Sequence, residues 1–354
     1  DPGLLFGPRE MRLYPNGALA SHILGGAAFG REGVESAEVI GTAGVEKTFD
    51  GWLRDPANGG APLQLSLDLT VQSTVEEVLD GGMKLMNAKG AAAVLMDVHT
   101  GEVIAMASLP DFDPNERPQP LTKGSPTDSP LFNRAVQGVY ELGSTYKLFA
   151  LAQALDLGLV NPTTMVDTKS PMVWGKFRIH DFHNYGPTNS VTDVIVKSSN
   201  IGTAHIAQMI GGERQQVFLK SLGLFDPVPI ELVEARTGKP LLPKRWSDLS
   251  TLTVSYGHGM SASPLHLAAA YASIVNGGTK VTPTILKADT IQQGPRVISE
   301  KTSAIARGIL RQVVVRGTAS FGDVPGYSVA GKTGTADKPL PTGGYAQDKV
   351  IATF

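Results

Sequence analysis

The chain has 354 residues and no cysteine, with 31 basic against 33 acidic side chains and a formal net charge of −2 at pH 7. A disulfide framework and a cysteine-ligated zinc site are therefore excluded, and the balanced charge gives no electrostatic reason to expect nucleic acid as a partner. Hydrophobic residues at 42% suffice for a packed interior, while 40 glycines and 24 prolines point to many turns. The length exceeds one average domain. No apolar run reaches the 18 residues of a membrane span, and the opening Asp1-Pro2-Gly3 stretch lacks the regions of a signal peptide. A start at Asp rather than Met reads as a cut fragment, with any anchor lying outside it.

Residues 1–60 are interrupted by Gly25, Gly26, Gly30, Gly33, Gly41 and Gly44 and read as an irregular or extended module, ending near Ala61-Pro62. Alternation from Leu63 to Leu69 predicts a strand, and Thr70 then caps a helix running toward Asn87. Ala91–Met96 and Val103–Met106, flanking His99-Thr100-Gly101, predict a β-hairpin. Asp111 to Arg134 is a long loop. A helix from Leu148 to Leu157 closes at Gly158 and has Ser144 near its N-terminal end. Further helices are expected over Val191–Lys197 and Ile201–Met209, from the Ser263-Pro264 cap to Asn276-Gly277, and from Ser299 to Gly317. Lys280–Asp289 reads as a strand, and Tyr327–Lys332 with Val350–Phe354 as a second hairpin. Met83, Met86 and Met96 read as core filling, and Leu265, Ala268, Ala269 and Ala272 as the stripe of a buried helix. This order is α+β over residues 61–354.

Three short patterns carry chemistry. In Ser144-Thr145-Tyr146-Lys147 the serine and lysine stand three apart, so at helical spacing they share a face and the amine can serve the hydroxyl as a base. Burial and a second nearby cation would keep that amine neutral. The plain alternative is a capping serine with a solvated lysine. Ser198-Ser199-Asn200 offers a hydroxyl for proton relay and an amide for holding a lysine or a carbonyl, against a plain helix cap. Lys332-Thr333-Gly334-Thr335 combines a cation, hydroxyls and a glycine allowing close approach, on a stretch where an extended substrate can pair with backbone.

Two competing readings use overlapping residues. Gly326 to Thr333 matches the phosphate-loop pattern G-x-x-x-x-G-K-[ST], but the residues that follow, through Pro339 and Pro341, cannot form the required helix. His180-Asp181-Phe182-His183 places two imidazoles three apart, but no third metal ligand is evident. No cofactor is called for.

Jointly the S-x-x-K, S-x-N and K-T-G patterns, in that order, resemble the penicillin-recognising serine acyltransferases. Arg12 to Gly17, Gly30 to Glu35, Met96 to Val103 and Ser255-Tyr256-Gly257-His258-Gly259 are similar to class B penicillin-binding proteins, particularly their division-associated members. The resemblance implies a penicillin-binding transpeptidase fold: a central antiparallel sheet flanked by helices, an all-helical subdomain, and a pedestal remnant at 1–60. It implies Ser144 as nucleophile and Lys147 as base, with the N–H groups of Ser144 and Thr335 as oxyanion hole. Ser198 would relay the proton to the leaving group, Asn200 would hold Lys147 and the substrate amide, and Lys332, Thr333 and Thr335 would bind the terminal carboxylate beside Gly334. Implied partners are peptidoglycan stem peptides ending in D-Ala-D-Ala, an amine acceptor, β-lactams as covalent inhibitors, and division-complex proteins including a glycosyltransferase. The implied location is the periplasmic face of the inner membrane, anchored by a span absent from this chain. A β-lactamase or β-lactam sensor is the alternative within the family, and a non-catalytic interaction module the alternative outside it. The family also continues beyond the strand ending at Phe354.

Overall fold

The computed structural model describes residues 11–32, 34–288, 290–339 and 344–354. The first part contains α1 (Ser21–Leu24), the antiparallel pair β1 (Gly26–Glu32) and β2 (Val34–Ala43), and the short helices α2 (Gly44–Thr48) and α3 (Asp50–Arg54). The glycine-rich stretch, expected to be irregular or extended, forms an extended hairpin with irregular pairing, its register shifting between Gly26 and Ala27 and again between Phe29 and Arg31. Such irregularities blur the period-2 pattern that would have revealed the strands. This part does not stand apart: Ala20, Ile23 and Val45 share one core with Val103, Met106, Leu265 and Ile285.

Next come α4 (Leu69–Leu85), β3 (Ala91–Met96) and β4 (Val103–Leu109). Asp68 caps α4, accepting from the N–H groups of Thr70 and Val71, so the helix starts before Thr70. The expected hairpin of β3 and β4 is present, and Asp97 closes its turn by accepting from His99 and Thr100. α4 packs on β4 from one side. Its outer face is open: Met86 is 74% exposed, so it does not fill the core as expected. Residues 63–69 form a single bridge, Leu65 to Leu286, in place of a strand. The stretch expected as a strand over 280–289, of which residue 289 lies outside the described residues, makes only the isolated bridges of Thr284 to Glu102 and Leu286 to Leu65; before them the N–H of Val281 donates to the Ser273 side chain and that of Thr282 to Gln292, and Pro283 has no N–H to offer.

The helical part follows as α5 (Lys147–Asp156), the short strands β5 (Met165–Asp167), β6 (Met172–Trp174), β7 (Phe177–Ile179) and β8 (Thr188–Ser190), then α6 (Val191–Val196), α7 (Asn200–Ile210), α8 (Gly212–Ser221) and α9 (Asp248–Ser255). α10 (Pro264–Val275), capped by Ser263, and α11 (Glu300–Arg316), capped by Ser299, match their predicted caps. α5 is the axis of the main core. It is buried from Lys147 to Leu155 and surrounded by α6, α7, α8, α9 and α11. A helix apolar all round belongs inside a bundle.

The chain closes with β9 (Gly334–Pro339) and β10 (Tyr345–Thr353), paired antiparallel. The expected second hairpin is therefore shifted on its first side: residues 327–332 are not a strand, and the N–H of Gly331 donates to Leu310 of α11 instead. Among the described residues the two large hairpins are not joined by hydrogen bonds into one sheet.

Gln72 holds α4 against β4. Fully buried, its amide donates to the carbonyl of Met106 at 2.9 Å and accepts from the Met106 N–H at 2.8 Å, as a neighbouring strand would. Gln72→Leu should lower the unfolding free energy by about 2 kcal/mol, read from urea denaturation, because both Met106 groups lose their partner in a buried place.

Candidate active site

The segment leading into α5 is a tight turn, Gly143–Tyr146, that passes directly into the helix at Lys147. Gly143, Thr145, Tyr146 and Lys147 are buried, and Ser144 alone of the five is not. Neighbours pin the turn. Thr145 Oγ1 and Thr353 Oγ1 both donate to the Leu142 carbonyl, at 2.8 and 3.0 Å, and Tyr271 donates to the Thr145 carbonyl at 2.6 Å. Gly143 has φ +57°, and a Cβ there would lie 2.5 Å from the Thr335 carbonyl oxygen. At Gly334 a Cβ would lie 2.4 Å from the Leu142 carbonyl oxygen. The turn and the start of β9 thus touch backbone to backbone, which only glycine permits.

Ser198 is the meeting point of the site. It sits between α6 and α7 at φ +61°, a left-handed conformation uncommon outside glycine. Lys147 Nζ donates to its carbonyl at 2.6 Å and to its hydroxyl at 3.0 Å. Lys332 Nζ donates to the same hydroxyl at 2.9 Å and to the Thr333 carbonyl at 2.8 Å. Both lysines are at most 1% exposed. Burial pushes Lys147 well below the usual lysine range, and repulsion from Lys332 pushes it further, with Asp181 opposing. Burial lowers Lys332 to about 7. Two amines are therefore held near one hydroxyl in the state a base needs.

The structure brings Ser144, Lys147, Ser198, Lys332 and the Gly334-Thr335 backbone together, with differences in detail. Asn200 donates through Nδ2 to the His180 carbonyl at 3.1 Å, and the hydrogen bonds of Lys147 run to Ser198. Lys332 is 1% exposed. Thr335 is exposed, while Thr333 Oγ1 pairs with Thr318 Oγ1 at 2.6 Å.

Sequence reasoning passed over Glu141, Tyr345 and the role of Asp181. Glu141 accepts from the Gly259 N–H at 2.8 Å and from the Tyr345 hydroxyl at 3.1 Å, tying the nucleophile turn to β10. Its place two residues before Gly143 was the one local hint. Asp181 turns away from any metal-like grouping and toward the start of α7. His183 stacks edge-on with Phe182 and Tyr185. Among the described residues no three metal-ligating side chains gather. The Lys332 segment leads into β9 and not into a helix, so the phosphate-loop pattern lacks its structural context.

Known proteins resemble this chain in sequence and fold. A family model described as the penicillin binding protein transpeptidase domain matches residues 91–354, and the chain belongs to that family of penicillin-binding transpeptidases. It is 40% identical over its whole length to a probable peptidoglycan D,D-transpeptidase FtsI of Caulobacter vibrioides, of which it spans 58%. Against peptidoglycan D,D-transpeptidase FtsI of Escherichia coli K12 it is 30% identical over 99% of the chain and 61% of that protein. It thus spans less than two thirds of these relatives. The crystal structure of penicillin-binding protein 3 from Mycobacterium tuberculosis superposes with a TM-score of 0.80 at 31% identity, covering 96% of this chain and 79% of that one. That protein has also been solved with ampicillin and with aztreonam.

The depressed Lys332 gives a stability signature. Its folded value lies below the unfolded one, so between about 7 and 10.5 the folded state binds fewer protons and this group's contribution becomes more favourable as pH rises. The stability difference between parent and Lys332→Met should therefore move in the parent's favour from pH 7 to pH 10, by at most about 4 kcal/mol, in paired urea titrations.

Proposed function

We propose that this chain is the catalytic part of a peptidoglycan D,D-transpeptidase, acting through a serine acyl-enzyme on stem peptides ending in D-Ala-D-Ala. The observation that carries this reading is the convergence of two buried lysines on the Ser198 hydroxyl, with Lys147 one helical turn from the half-buried Ser144. Neutral Lys147 takes the proton of Ser144 as its oxygen attacks the carbonyl between the two D-alanines. The backbone N–H groups of Ser144 and Thr335 belong to the two segments that touch at Gly143, and together they receive the developing oxyanion. Ser198 carries the proton on to the leaving D-alanine amine. An extended donor peptide lies along β9, whose only strand partner among the described residues is β10. The terminal carboxylate meets the hydroxyls of Thr333 and Thr335 beside Lys332.

An amine from a second stem peptide resolves the acyl-enzyme and completes the cross-link, and β-lactams remain bound after opening. The resemblance to division-associated class B members supports a role in septal wall synthesis at the periplasmic face of the inner membrane, beside division proteins and a glycosyltransferase. Among the described residues no helix is long and apolar enough to cross a membrane.

A fluorescent penicillin should label the protein at Ser144, seen by mass spectrometry of the labelled peptide, and labelling should vanish in Ser144→Ala. Equal labelling of that variant would overturn the assignment, and rapid loss of the adduct would favour a β-lactamase.

A further inference from the structure

We infer that Asp181 is a positioning residue for the Ser198-Ser199-Asn200 turn and the fixed counter-charge of the buried lysine pair, a role that rests on the acyl-transfer reading above. Its carboxylate comes from the loop after β7 and is fully engaged by α7. Oδ1 accepts from the N–H groups of Asn200 at 2.6 Å and Ile201 at 3.0 Å, and Oδ2 accepts from the Ser199 hydroxyl at 2.7 Å. Ser199 itself caps the helix, accepting from the Gly202 N–H at 2.9 Å. Cap and carboxylate thus divide the first free N–H groups of α7 between them. An anion at a helix N-terminus is stabilised there. Ser198, the residue just before this double cap, is held in its left-handed conformation with carbonyl and hydroxyl presented to Lys147.

The charge matters as much as the hydrogen bonds. Lys147 faces Ser198 from the first turn of α5 and Lys332 from the segment before β9, while Asp181 acts on Lys147 from the loop after β7. No carboxylate among the described residues makes an ion pair with either lysine. A carboxylate free to reach Lys147 would hold it as an ammonium and end its use as a base. Asp181 is anchored by three donors of α7 and so exerts its field on the amine without taking a hydrogen bond from it. It offsets part of the repulsion between the two lysines and keeps Lys147 basic enough to accept a proton.

The test is the pH profile of second-order acylation by a penicillin, measured on the full chain. In Asp181→Asn the negative charge is lost and Lys147 becomes neutral at lower pH. The acidic limb should move down by about one pH unit. The plateau rate should fall about tenfold as the turn loosens and the base weakens. Asp181→Glu retains the charge and should show a reduced plateau with the limb where the parent has it. Ser199→Ala removes the two bonds of its hydroxyl, to Asp181 and from Gly202, but leaves the charge in place and should leave the limb unmoved. An unmoved limb in the Asn variant, or an equal shift in the Glu or Ser199→Ala variant, overturns the inference. Should Asp181→Asn fail to fold, the Glu variant still decides, since a shifted limb there contradicts the charge role. Parent labelling lost in Ser144→Ala but unaffected limbs would refute this role alone, whereas labelling retained in Ser144→Ala would refute the reading beneath it.

Discussion

Two lysine amines buried against one serine hydroxyl are the constraint that the remaining structure has to satisfy. Each ammonium taken out of water carries a large desolvation cost, and two placed together repel. The chain meets that cost by letting the amines lean toward the neutral form and by supplying them with oxygen partners: the carbonyl and hydroxyl of Ser198 and the carbonyl of Thr333. The same burial that destabilises the charged state makes a base usable near neutral pH. Stability is spent at the site where reactivity is needed.

Holding such a pair requires rigid surroundings, and the architecture provides them through α5. The helix bearing Lys147 is enclosed by five others, so its first turn has little freedom, and Ser144 is pushed to the one side that remains open. The second wall is β9, brought to backbone contact by Gly143 and Gly334. The third is the double cap of α7, where Asp181 and Ser199 fix the turn carrying Ser198. Glu141 closes the ring by linking the nucleophile turn to Tyr345 on β10. Each link joins segments far apart in the chain, so the site exists only when the helical part and the closing hairpin are both in place.

Much of this was legible beforehand. Helix caps at Ser263 and Ser299, the hairpin around Asp97 to Gly101, and the three motif segments all rest on local chemistry acting over a few residues. What failed locally failed for a stated reason. The strands of the N-terminal hairpin are masked by irregular pairing, Val281 and Thr282 bond to side chains so that only isolated bridges follow at Thr284 and Leu286, and Gly331 bonds to a helix carbonyl where a ladder partner was expected. Alternation tells that a segment is extended and half-buried, and it does not tell what the backbone will bond to. The metal-like pair at His180 and His183 drew attention to the right loop, but the residue that matters there is Asp181, whose partners lie about 20 positions later.

By itself the sequence determined the residue types of the candidate site and their order: a serine with a lysine one helical turn on, a second serine with an asparagine, and a lysine followed by hydroxyls and glycine. Those follow from short-range spacing. Only the tertiary structure decided that both lysines meet at Ser198, that Lys332 is almost wholly buried, and that Asn200 turns to His180. The physical reason is that protonation, reach and exposure depend on burial and on neighbours brought from distant parts of the chain, and neither is written in any local stretch of residues.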